Sequence, residues 1–291
     1  MKKILGQVFK GVAGRYQVYA NGCIFDDISA RKKLRYSKLF VGDYVEFDES
    51  QGVIDSVVER RNSIVRPPLA NIDKMFIVVA PVPTPDFMLV DKLIVQCVQN
   101  NIEPLLVVNK VDIASKEFLD SVVGQYNQAV KIFKCTTLKN DGFDTLKDEL
   151  KGRLSIFVGQ SAVGKSSIIN VLLPNAFREI GSLSAKTNRG KNCTRESQIY
   201  VLENGGKIAD TTGFSALELK DISKEQLSDC YAEIKKYSTD CDYNTCNHIG
   251  EPEKICAVKR AVREGKINKQ RFSRYTQLYN EIKEWEEKRY G

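Results

Sequence analysis

Residues 154–173 read LSIFVGQSAVGKSSIINVLL, and this stretch decides the fold class. Its first five residues are almost all apolar, which is typical of a strand buried on both faces of a sheet. Residues 165–173 have the apolar spacing of a helix. Between these two elements, residues 159–166 fit the pattern G-x-x-x-x-G-K-[ST]. A strand, a glycine-containing turn and a helix in this order predict a phosphate-binding loop in an α/β domain.

The residue types of this loop suit nucleotide phosphates and Mg²⁺. Glycines let backbone N–H groups approach phosphates closely, and the helix N-terminus adds a favourable dipole. We expect Lys165 to contact the β- and γ-phosphates and Ser166 to bind Mg²⁺. The alternative is a glycine turn that binds nothing, which the flanking strand and helix disfavour. The residues predicted to hold the nucleotide here are Gly159, Gln160, Ser161, Ala162, Val163, Gly164, Lys165, Ser166 and Ser167.

Two apolar runs before the loop indicate further strands of the same sheet. Residues 75–80 (MFIVVA) and 105–109 (LLVVN) read as buried strands, and residues 87–100 between them have helical spacing. Strands that alternate with helices predict a parallel, three-layer α/β sheet.

A second motif, N-K-V-D, begins at the last residue of the LLVVN run and is expected to select the base. The carboxylate of Asp112 can accept hydrogen bonds from N1–H and the 2-amino group of guanine, whereas adenine offers neither donor. Asn109 can hold the base edge and the loop, and the stem of Lys110 can cover the ring. With a phosphate loop in the same domain, these residues predict GTP and GDP rather than adenine nucleotides.

The third motif, Asp210-Thr-Thr-Gly213, fits D-x-x-G. We expect Asp210 to hold Mg²⁺ through a water and the N–H of Gly213 to bond the γ-phosphate. Thr194, in the polar run 180–197, is the candidate for the threonine that contacts Mg²⁺. Because Asn109 precedes Gly159 and Asp210 comes last, the motif order is circularly permuted relative to ordinary GTPases. The γ-phosphate sensor therefore leads directly into the C-terminal segment.

The two ends of the chain differ from the α/β centre. Residues 1–68 contain several short β-like runs, with Asn21-Gly22 as a hairpin turn, and predict a small barrel, most simply an OB-fold. Pro67-Pro68 marks a boundary. The predicted domains are an RNA-binding barrel (1–68), a permuted GTPase domain (69–222) and a helical zinc-binding domain (223–291).

A Cys/His cluster, C-x4-C-x-H-x7-C, interrupts the C-terminal segment. Cys241, Cys246, His248 and Cys256 form a closed donor set that suits one structural Zn²⁺, and His248 is the only histidine of the chain. The alternative is buried free cysteines beside a surface histidine. The other four cysteines (Cys23, Cys97, Cys135 and Cys230) are interpreted as ordinary core or surface residues.

Charge is distributed unevenly along the 291 residues. Residues 1–68 carry a balance of +4, residues 69–253 of −3 and residues 254–291 of +6, for a net charge of +7. The basic ends indicate a polyanionic partner, although solvated surface would look the same. No apolar run approaches the roughly 20 residues of a membrane span, and the N-terminus does not resemble a signal peptide. We therefore expect a cytoplasmic protein. The candidate RNA-contacting residues are Arg31, Lys32, Lys33, Arg35, Tyr36 and Lys38, and Lys259, Arg260, Arg263, Lys266, Lys269, Arg271 and Arg274.

Together these motifs resemble the ribosome small-subunit-dependent GTPase A family. The resemblance covers N-K-V-D, G-Q-S-A-V-G-K-S-S, D-T-T-G and the C-x4-C-x-H cluster, in that order. It implies an OB-fold, a permuted GTPase domain and a zinc domain. It also implies GTP hydrolysis stimulated by the 30S subunit and its 16S rRNA, late in the maturation of that subunit. We expect a monomer.

The chain departs from the family at residues that bear on hydrolysis. Asn192 stands where the family has a histidine implicated in hydrolysis, and Thr212 replaces a proline. The spacing from His248 to Cys256 is two residues longer than usual. Phe214 occupies the position of the water-orienting glutamine of many GTPases, so Asn192 is the remaining candidate to orient the water. We therefore expect slow turnover that a partner accelerates. The predicted catalytic residues are Lys165, Asn192, Thr194, Asp210 and Gly213, and the predicted Mg²⁺ ligands are Ser166, Thr194 and Asp210.

Two other functions remain open from the sequence. One is a nucleotide-responsive RNA-binding module with little hydrolysis, which Phe214 and Asn192 favour. The other is a GTPase that switches a protein partner, in which the basic ends play no part. Multiple-turnover hydrolysis on ribosomes argues against the first, and failure to bind rRNA favours the second.

Overall fold

A computed structural model describes residues 3–34, 38–173, 197–210 and 222–290. The chain begins with a closed five-stranded barrel whose neighbours follow the order β1-β2-β3-β5-β4, and β4 returns to pair with β1. All its pairings are antiparallel except β3 with β5. This barrel confirms the predicted OB-type architecture. Its strands are β1 (Lys3–Val12), β2 (Arg15–Ala20), β3 (Cys23–Ala30), β4 (Tyr44–Asp48) and β5 (Val53–Val57).

The predicted hairpin turn connects β2 to β3. Asn21 and Gly22 both have positive φ, 51° and 82°, as a two-residue turn that follows the strand twist requires. The barrel interior is filled by alternating apolar side chains of its strands, among them Val8, Val18, Val45, Phe47 and Ile54.

A six-stranded sheet forms the centre of the molecule. After a short hairpin of β6 (Ser63–Ile64) and β7 (Leu69–Ala70), its strands lie in the order β10-β9-β8-β11-β13-β12. All neighbours are parallel except β12 with β13, which confirms the predicted parallel α/β sheet. Its strands are β8 (Lys74–Val79), β9 (Glu103–Val108), β10 (Lys131–Lys134), β11 (Leu154–Val158), β12 (Gln198–Val201) and β13 (Lys207–Asp210).

Helices cover both faces of this sheet and complete three layers. Residues of α1 and α2 belong to one buried cluster, and residues of α3 and α4 belong to the other. The bounds are α1 (Phe87–Gln99), α2 (Lys116–Tyr126), α3 (Phe143–Leu150) and α4 (Lys165–Leu172).

The barrel is joined directly to the sheet. Lys10 of β1 pairs with Gln198 of β12, so one sheet runs from the α/β centre into the barrel. The Nζ of Lys207, on β13, donates to Oε1 of Gln7 at 2.6 Å and lies over the ring of Phe9. Phe9 itself is buried in the core of the α/β sheet.

The C-terminal segment forms a small helical module around its own core. Its helices are α5 (Ala232–Ser238), α6 (Ala257–Arg263) and α7 (Lys269–Tyr290). Within the described part of the chain, no helix is both long and apolar enough to cross a bilayer. The limits of the three domains (1–68, 69–222 and 223–291) stay a prediction from the sequence.

One candidate RNA-contacting cation, Arg271, is buried, so that prediction was wrong for it, and Arg274 and Lys259 are half-buried and bonded within the protein. The side chains of Arg271 and Arg274 are 1% and 14% exposed and pair with Asp91. The Nζ of Lys259 donates to carbonyl oxygens within the metal-binding loop, those of Ile249 and Glu251. These three side chains donate to acceptors inside the protein instead of extending into solvent. Arg35 and Tyr36 lie outside the described residues.

Candidate nucleotide pocket and metal centre

The motifs predicted to bind a nucleotide lie at the carboxyl edge of the central sheet. The register pairs Val79 of β8 with Val108 of β9, and Val158 of β11 with Ile77 of β8. Loops that leave these strand ends therefore emerge side by side, where α/β sheets bind their ligands. Asp210 ends β13 beside them, since Ala209 pairs with Ile156.

Two glycines of the phosphate loop are required by close backbone approach. Gly159 has φ +136°, and a Cβ there would lie 2.3 Å from the carbonyl oxygen of Val78. Gly164 has φ +98°, and a Cβ there would lie 2.2 Å from Nδ2 of Asn109. Any side chain at either position would displace the loop from the sheet or from the second motif.

Lys165 begins α4 and folds back over the loop. Its Nζ donates to the carbonyl oxygens of Gly159, at 2.8 Å, and Gln160, at 2.5 Å. Burial lowers the pKa of Lys165 from its ordinary value. Val163 is buried, whereas Ser166 and Ser167 at the start of α4 are exposed, so a ligand in the loop can reach their hydroxyl groups.

The N-K-V-D motif is bonded to the phosphate loop. Asn109 is fully buried, and its Nδ2 donates to the carbonyl oxygen of Val163 at 2.9 Å. Lys110 donates from Nζ to the carbonyl oxygens of Val82, at 2.9 Å, and Ala162, at 2.8 Å. The two motifs therefore form one wall of a single pocket despite their separation in the chain.

Asp112 is the exposed carboxylate of this wall. It lies in a 3-10 turn, Val111–Ile113, and accepts a hydrogen bond from the hydroxyl of Thr136. Thr136 is 3% exposed, and its hydroxyl also accepts from the N–H of Leu138 at 3.3 Å. Thr136 is not among the residues that the sequence assigns to the site. Residues 135–137 follow β10, which pairs in parallel with β9, so this loop emerges beside the N-K-V-D motif. That position is the signal that would have identified Thr136.

Gln160 links the loop to the segment before α1. Its Oε1 accepts from the N–H of Asp86 at 2.8 Å, and its Nε2 donates to the carbonyl oxygen of Thr84 at 3.2 Å. The sequence placed Gln160 in the phosphate loop but gave no sign of these contacts. Four residues singled out around the γ-phosphate lie outside the described residues: Asn192, Thr194, Gly213 and Phe214.

The four predicted zinc ligands converge in the C-terminal module. The Sγ atoms of Cys241, Cys246 and Cys256 lie 3.7, 3.3 and 3.5 Å from Nδ1 of His248. All four ligand atoms are within 4.8 Å of one another. A tetrahedral Zn²⁺ with ordinary bond lengths would separate sulfur and nitrogen by roughly 3.5 Å. The donor set and its spacing therefore fit zinc.

The loop that holds these ligands is fixed by polar contacts of its own. Burial raises the pKa of the Cys246 thiol, and a bound cation would favour its thiolate form. The N–H of Asn247 donates to the Glu251 carboxylate at 2.9 Å, and the hydroxyl of Tyr275 donates to the Asn247 carbonyl at 2.8 Å. These bonds tie the ligand loop to α7.

Comparison with known proteins identifies the family. A model of the RsgA GTPase family matches residues 57–220, over half of the chain. The chain belongs to the RsgA GTPase family. A protein of Caldanaerobacter subterraneus subsp. tengcongensis described as "Small ribosomal subunit biogenesis GTPase RsgA" is 38% identical, over 100% of this chain and 99% of its own. A protein of Geobacillus sp. with the same description is 37% identical, over 96% of this chain and 97% of its own.

Solved structures of this family share the whole architecture. YjeQ from Thermotoga maritima superposes with a TM-score of 0.82 at 29% identity, covering 97% of this chain and 99% of its own. YloQ, described as a circularly permuted GTPase, superposes with a TM-score of 0.76 at 27% identity. The match covers 97% of this chain and 96% of the YloQ chain. The prediction of a circularly permuted GTPase is thereby confirmed. RsgA family membership makes this protein a GTP hydrolase that uses a guanine nucleotide and Mg²⁺.

Proposed function

We propose that this RsgA family member binds the small ribosomal subunit through its 16S rRNA and hydrolyses GTP on it, late in maturation and in the cytoplasm. One observation carries the proposal: Asn109 and Lys110 are bonded to the phosphate loop, so that one pocket carries both the base motif and the phosphate motif. The relatives described as small ribosomal subunit biogenesis GTPases point to the ribosomal partner. We propose that the protein acts as a monomer.

The residues of the pocket have distinct roles in this proposal. Asp112 selects guanine, and Lys165 leaves the loop carbonyls to bind the β- and γ-phosphates. Mg²⁺ supplies charge neutralisation when bound, and Ser166 and Asp210 would hold it together with Thr194. The N–H of Gly213 would sense the γ-phosphate, and Asn192 would orient the attacking water. Because an amide cannot accept the proton of that water, unassisted hydrolysis is slow.

The metal centre has a structural role in this proposal. One Zn²⁺ held by the cluster Cys241, Cys246, His248 and Cys256 leaves no open position, so it orders the helical module and does not take part in hydrolysis. The module then presents exposed cations of α6 and its surroundings to rRNA phosphates. Those cations are Arg263, Lys266 and Lys269.

Steady-state GTP hydrolysis with and without purified 30S subunits tests the proposal. Strong stimulation by 30S, with none by 50S and no ATP hydrolysis, is the expected result. Binding of rRNA phosphates also predicts that the affinity for 30S falls steeply with salt. Hydrolysis that 30S leaves unchanged would overturn the proposal.

A nucleotide-responsive RNA-binding module is the second candidate. Phe214 and Asn192 favour it, since neither side chain can act as a base on water. The same assay separates the two functions when 30S binding is measured with a non-hydrolysable GTP analogue. Tight, analogue-dependent binding without turnover would support the module.

A further inference from the structure

A buried ion cluster connects the helical module to the GTPase domain. Asp91, on α1, is fully buried and accepts from Nη1 of Arg271 and from Nε of Arg274, the latter at 2.7 Å. Nε of Arg271 also donates to the Glu233 carboxylate at 2.7 Å, and Arg271 and Glu233 are 1% and 4% exposed. Tyr126, on α2, donates its hydroxyl to Asp91 at 2.8 Å. Helices α1 and α2 of the GTPase domain thus share one cluster with α5 and α7 of the module.

Helix α1 contributes to two cores at once. Val90 and Leu93 belong to the core of the central sheet. Val95 is fully buried in the core of the helical module, and Met88 packs against that core. Any movement of α1 relative to the sheet would therefore also shift side chains in the core of the helical module.

The first turn of α1 is held by the phosphate loop. Asp86 caps the helix by accepting from the N–H of Leu89 at 3.0 Å, and its own N–H donates to Gln160 of the loop at 2.8 Å. Gln160 also donates to the carbonyl of Thr84 at 3.2 Å. Asp86, which is bonded to the phosphate loop, and Asp91 of the ion cluster are therefore separated by about one and a half turns of α1.

On the other side, the cluster lies next to the metal-binding loop. Tyr275 is one turn beyond Arg271 on α7 and is fully buried. Its hydroxyl donates to the carbonyl of Asn247 at 2.8 Å, and its ring centroid lies 6.4 Å from that of His248. A continuous set of bonded and packed residues therefore runs from the phosphate loop to the metal ligands.

The cluster is poorly explained as a device for stability alone. Buried ion pairs are often no more stabilising than apolar side chains of the same volume, because desolvation offsets the attraction. Among the described residues, Nη2 of Arg271 and Oε2 of Glu233 have no hydrogen-bond partner, which adds to the cost. In some proteins, a network of directional bonds fixes the register of two packed units.

We propose that Asp91 is a positioning residue that couples the helical module to the nucleotide pocket. Nucleotide bound at the phosphate loop stabilises α1, and through Asp91 it stabilises the module. By thermodynamic linkage, a partner that stabilises the module strengthens nucleotide binding to the same extent. The proposal rests on the nucleotide pocket and does not depend on the ribosomal partner.

Trp285 gives a direct readout, because it lies on α7 and is the only tryptophan of the chain. Equilibrium unfolding in urea is followed by Trp285 fluorescence, without nucleotide and with Mg²⁺ and GDP at 100 times its Kd. The Kd is first measured by titration with a fluorescent GDP analogue. If the module unfolds with the GTPase domain, GDP lowers the unfolding equilibrium constant seen by Trp285 about 100-fold.

Asp91→Asn is the decisive variant. It keeps the volume of the side chain but places an N–H group opposite Nε of Arg274, so the ion cluster is broken. In this variant we expect GDP to lower the unfolding equilibrium constant seen by Trp285 by less than about tenfold, while the GDP analogue still binds. Lys92→Gln is the matched control. Lys92 pairs with Glu281 between the same two helices, with side chains 24% and 44% exposed, and such exposed pairs contribute little. It should keep the full effect.

Arg274→Gln keeps the test decisive if Asp91→Asn does not fold. It removes one bond to Asp91 at a partly exposed position and leaves the Arg271 pair in place, so we expect a partial loss of the GDP effect. The proposal is overturned if GDP leaves the wild-type Trp285 transition unchanged although the analogue binds. It is also overturned if Asp91→Asn or Arg274→Gln keeps the wild-type effect. Failure of the wild-type protein to bind the analogue at all would instead overturn the nucleotide pocket on which the coupling rests.

Discussion

Nδ2 of Asn109 donates to the carbonyl oxygen of Val163 at 2.9 Å, across 54 residues of chain. Both residues are fully buried, and no side chain fits at Gly164 beside them. The base motif and the phosphate motif are therefore one packed unit. Their order along the chain has no effect on this contact, because adjacent strand ends bring the two loops together. Circular permutation is thus compatible with an ordinary nucleotide pocket.

Asn109→Ala should weaken both the fold and the pocket. It leaves the carbonyl of Val163 buried without its donor, which costs about 1–3 kcal/mol of unfolding free energy. The GDP affinity should fall as well, since the loop loses its support. Urea denaturation and a GDP titration measure the two effects. Asn170→Ala, at an exposed position of α4, is the control and should change the stability little. Equal stabilities of the two variants would contradict the structural role of Asn109.

Asp112→Asn should change the base that the pocket prefers. In the proposed pocket the carboxylate would accept from two guanine donors, and hydrogen bonds to charged groups contribute about 1.5–3 kcal/mol. We expect the Kd for GDP to rise about 10- to 100-fold. The new amide can donate to the 2-oxo group of xanthine, so the affinity for xanthosine diphosphate should rise. Competition titrations with both nucleotides measure the change. An unchanged preference would show that Asp112 does not contact the base.

Thr136→Val should reproduce part of that loss without touching the base. Valine fills the same space but cannot donate to the Asp112 carboxylate, which is then free to turn away. We expect a several-fold rise in the Kd for GDP, of the size of one hydrogen bond of about 1 kcal/mol. Thr136→Ser keeps the hydroxyl and should retain wild-type affinity. If valine and serine behave alike, Thr136 supports only the packing of its loop.

The sequence predicted those parts of the protein in which chemistry fixes both residue type and spacing. Phosphate, guanine and tetrahedral geometry led to Gly164, Asp112 and the Cys/His cluster, and the structure brings the residues of these short motifs together as their spacing predicts. The OB-type barrel followed from β-like runs and one turn, Asn21-Gly22. These inferences required no knowledge of distant contacts.

Sequence reasoning failed where long-range pairing decides. Arg271 was assigned to the RNA-binding surface, but its partners Asp91 and Glu233 lie 180 and 38 residues away in the chain. A charge count cannot distinguish a solvated arginine from one that is neutralised inside the protein. Gln160 belongs to the predicted phosphate loop, yet its hydrogen bonds to Asp86 and Thr84 depend on how α1 packs.

Asn192→His tests the proposed weak point of hydrolysis. Histidine can orient the water and accept its proton, whereas asparagine can only orient it. If residue 192 faces the water, we expect kcat on 30S subunits to rise by about 10²-fold, the low end of general-base effects of about 10²- to 10⁴-fold. Steady-state GTP hydrolysis measures the change, and Asn192→Ala should be slower than wild type. Equal rates for all three proteins would exclude any role of this residue.

Cys256→Ser should remove the metal and unfold the helical module. Cys256 is fully buried and caps the N-terminus of α6, where its Sγ accepts from the N–H of Lys259 at 3.4 Å. With one ligand of four lost, we expect metal analysis to fall from one zinc per chain to well below that value. Because zinc binding contributes to folding, Tm of the module, followed by Trp285, should also fall.

Cys23→Ser provides the matched control, since Cys23 is an exposed residue of the barrel. It should keep one zinc per chain and the wild-type Tm. Treating the wild-type protein with a chelator should give the same loss of Tm as Cys256→Ser, and re-addition of Zn²⁺ should restore it only in the wild-type protein. A Cys256→Ser protein that retains stoichiometric zinc would show that the metal is held elsewhere. A module that stays folded without zinc would show that the four residues need no metal.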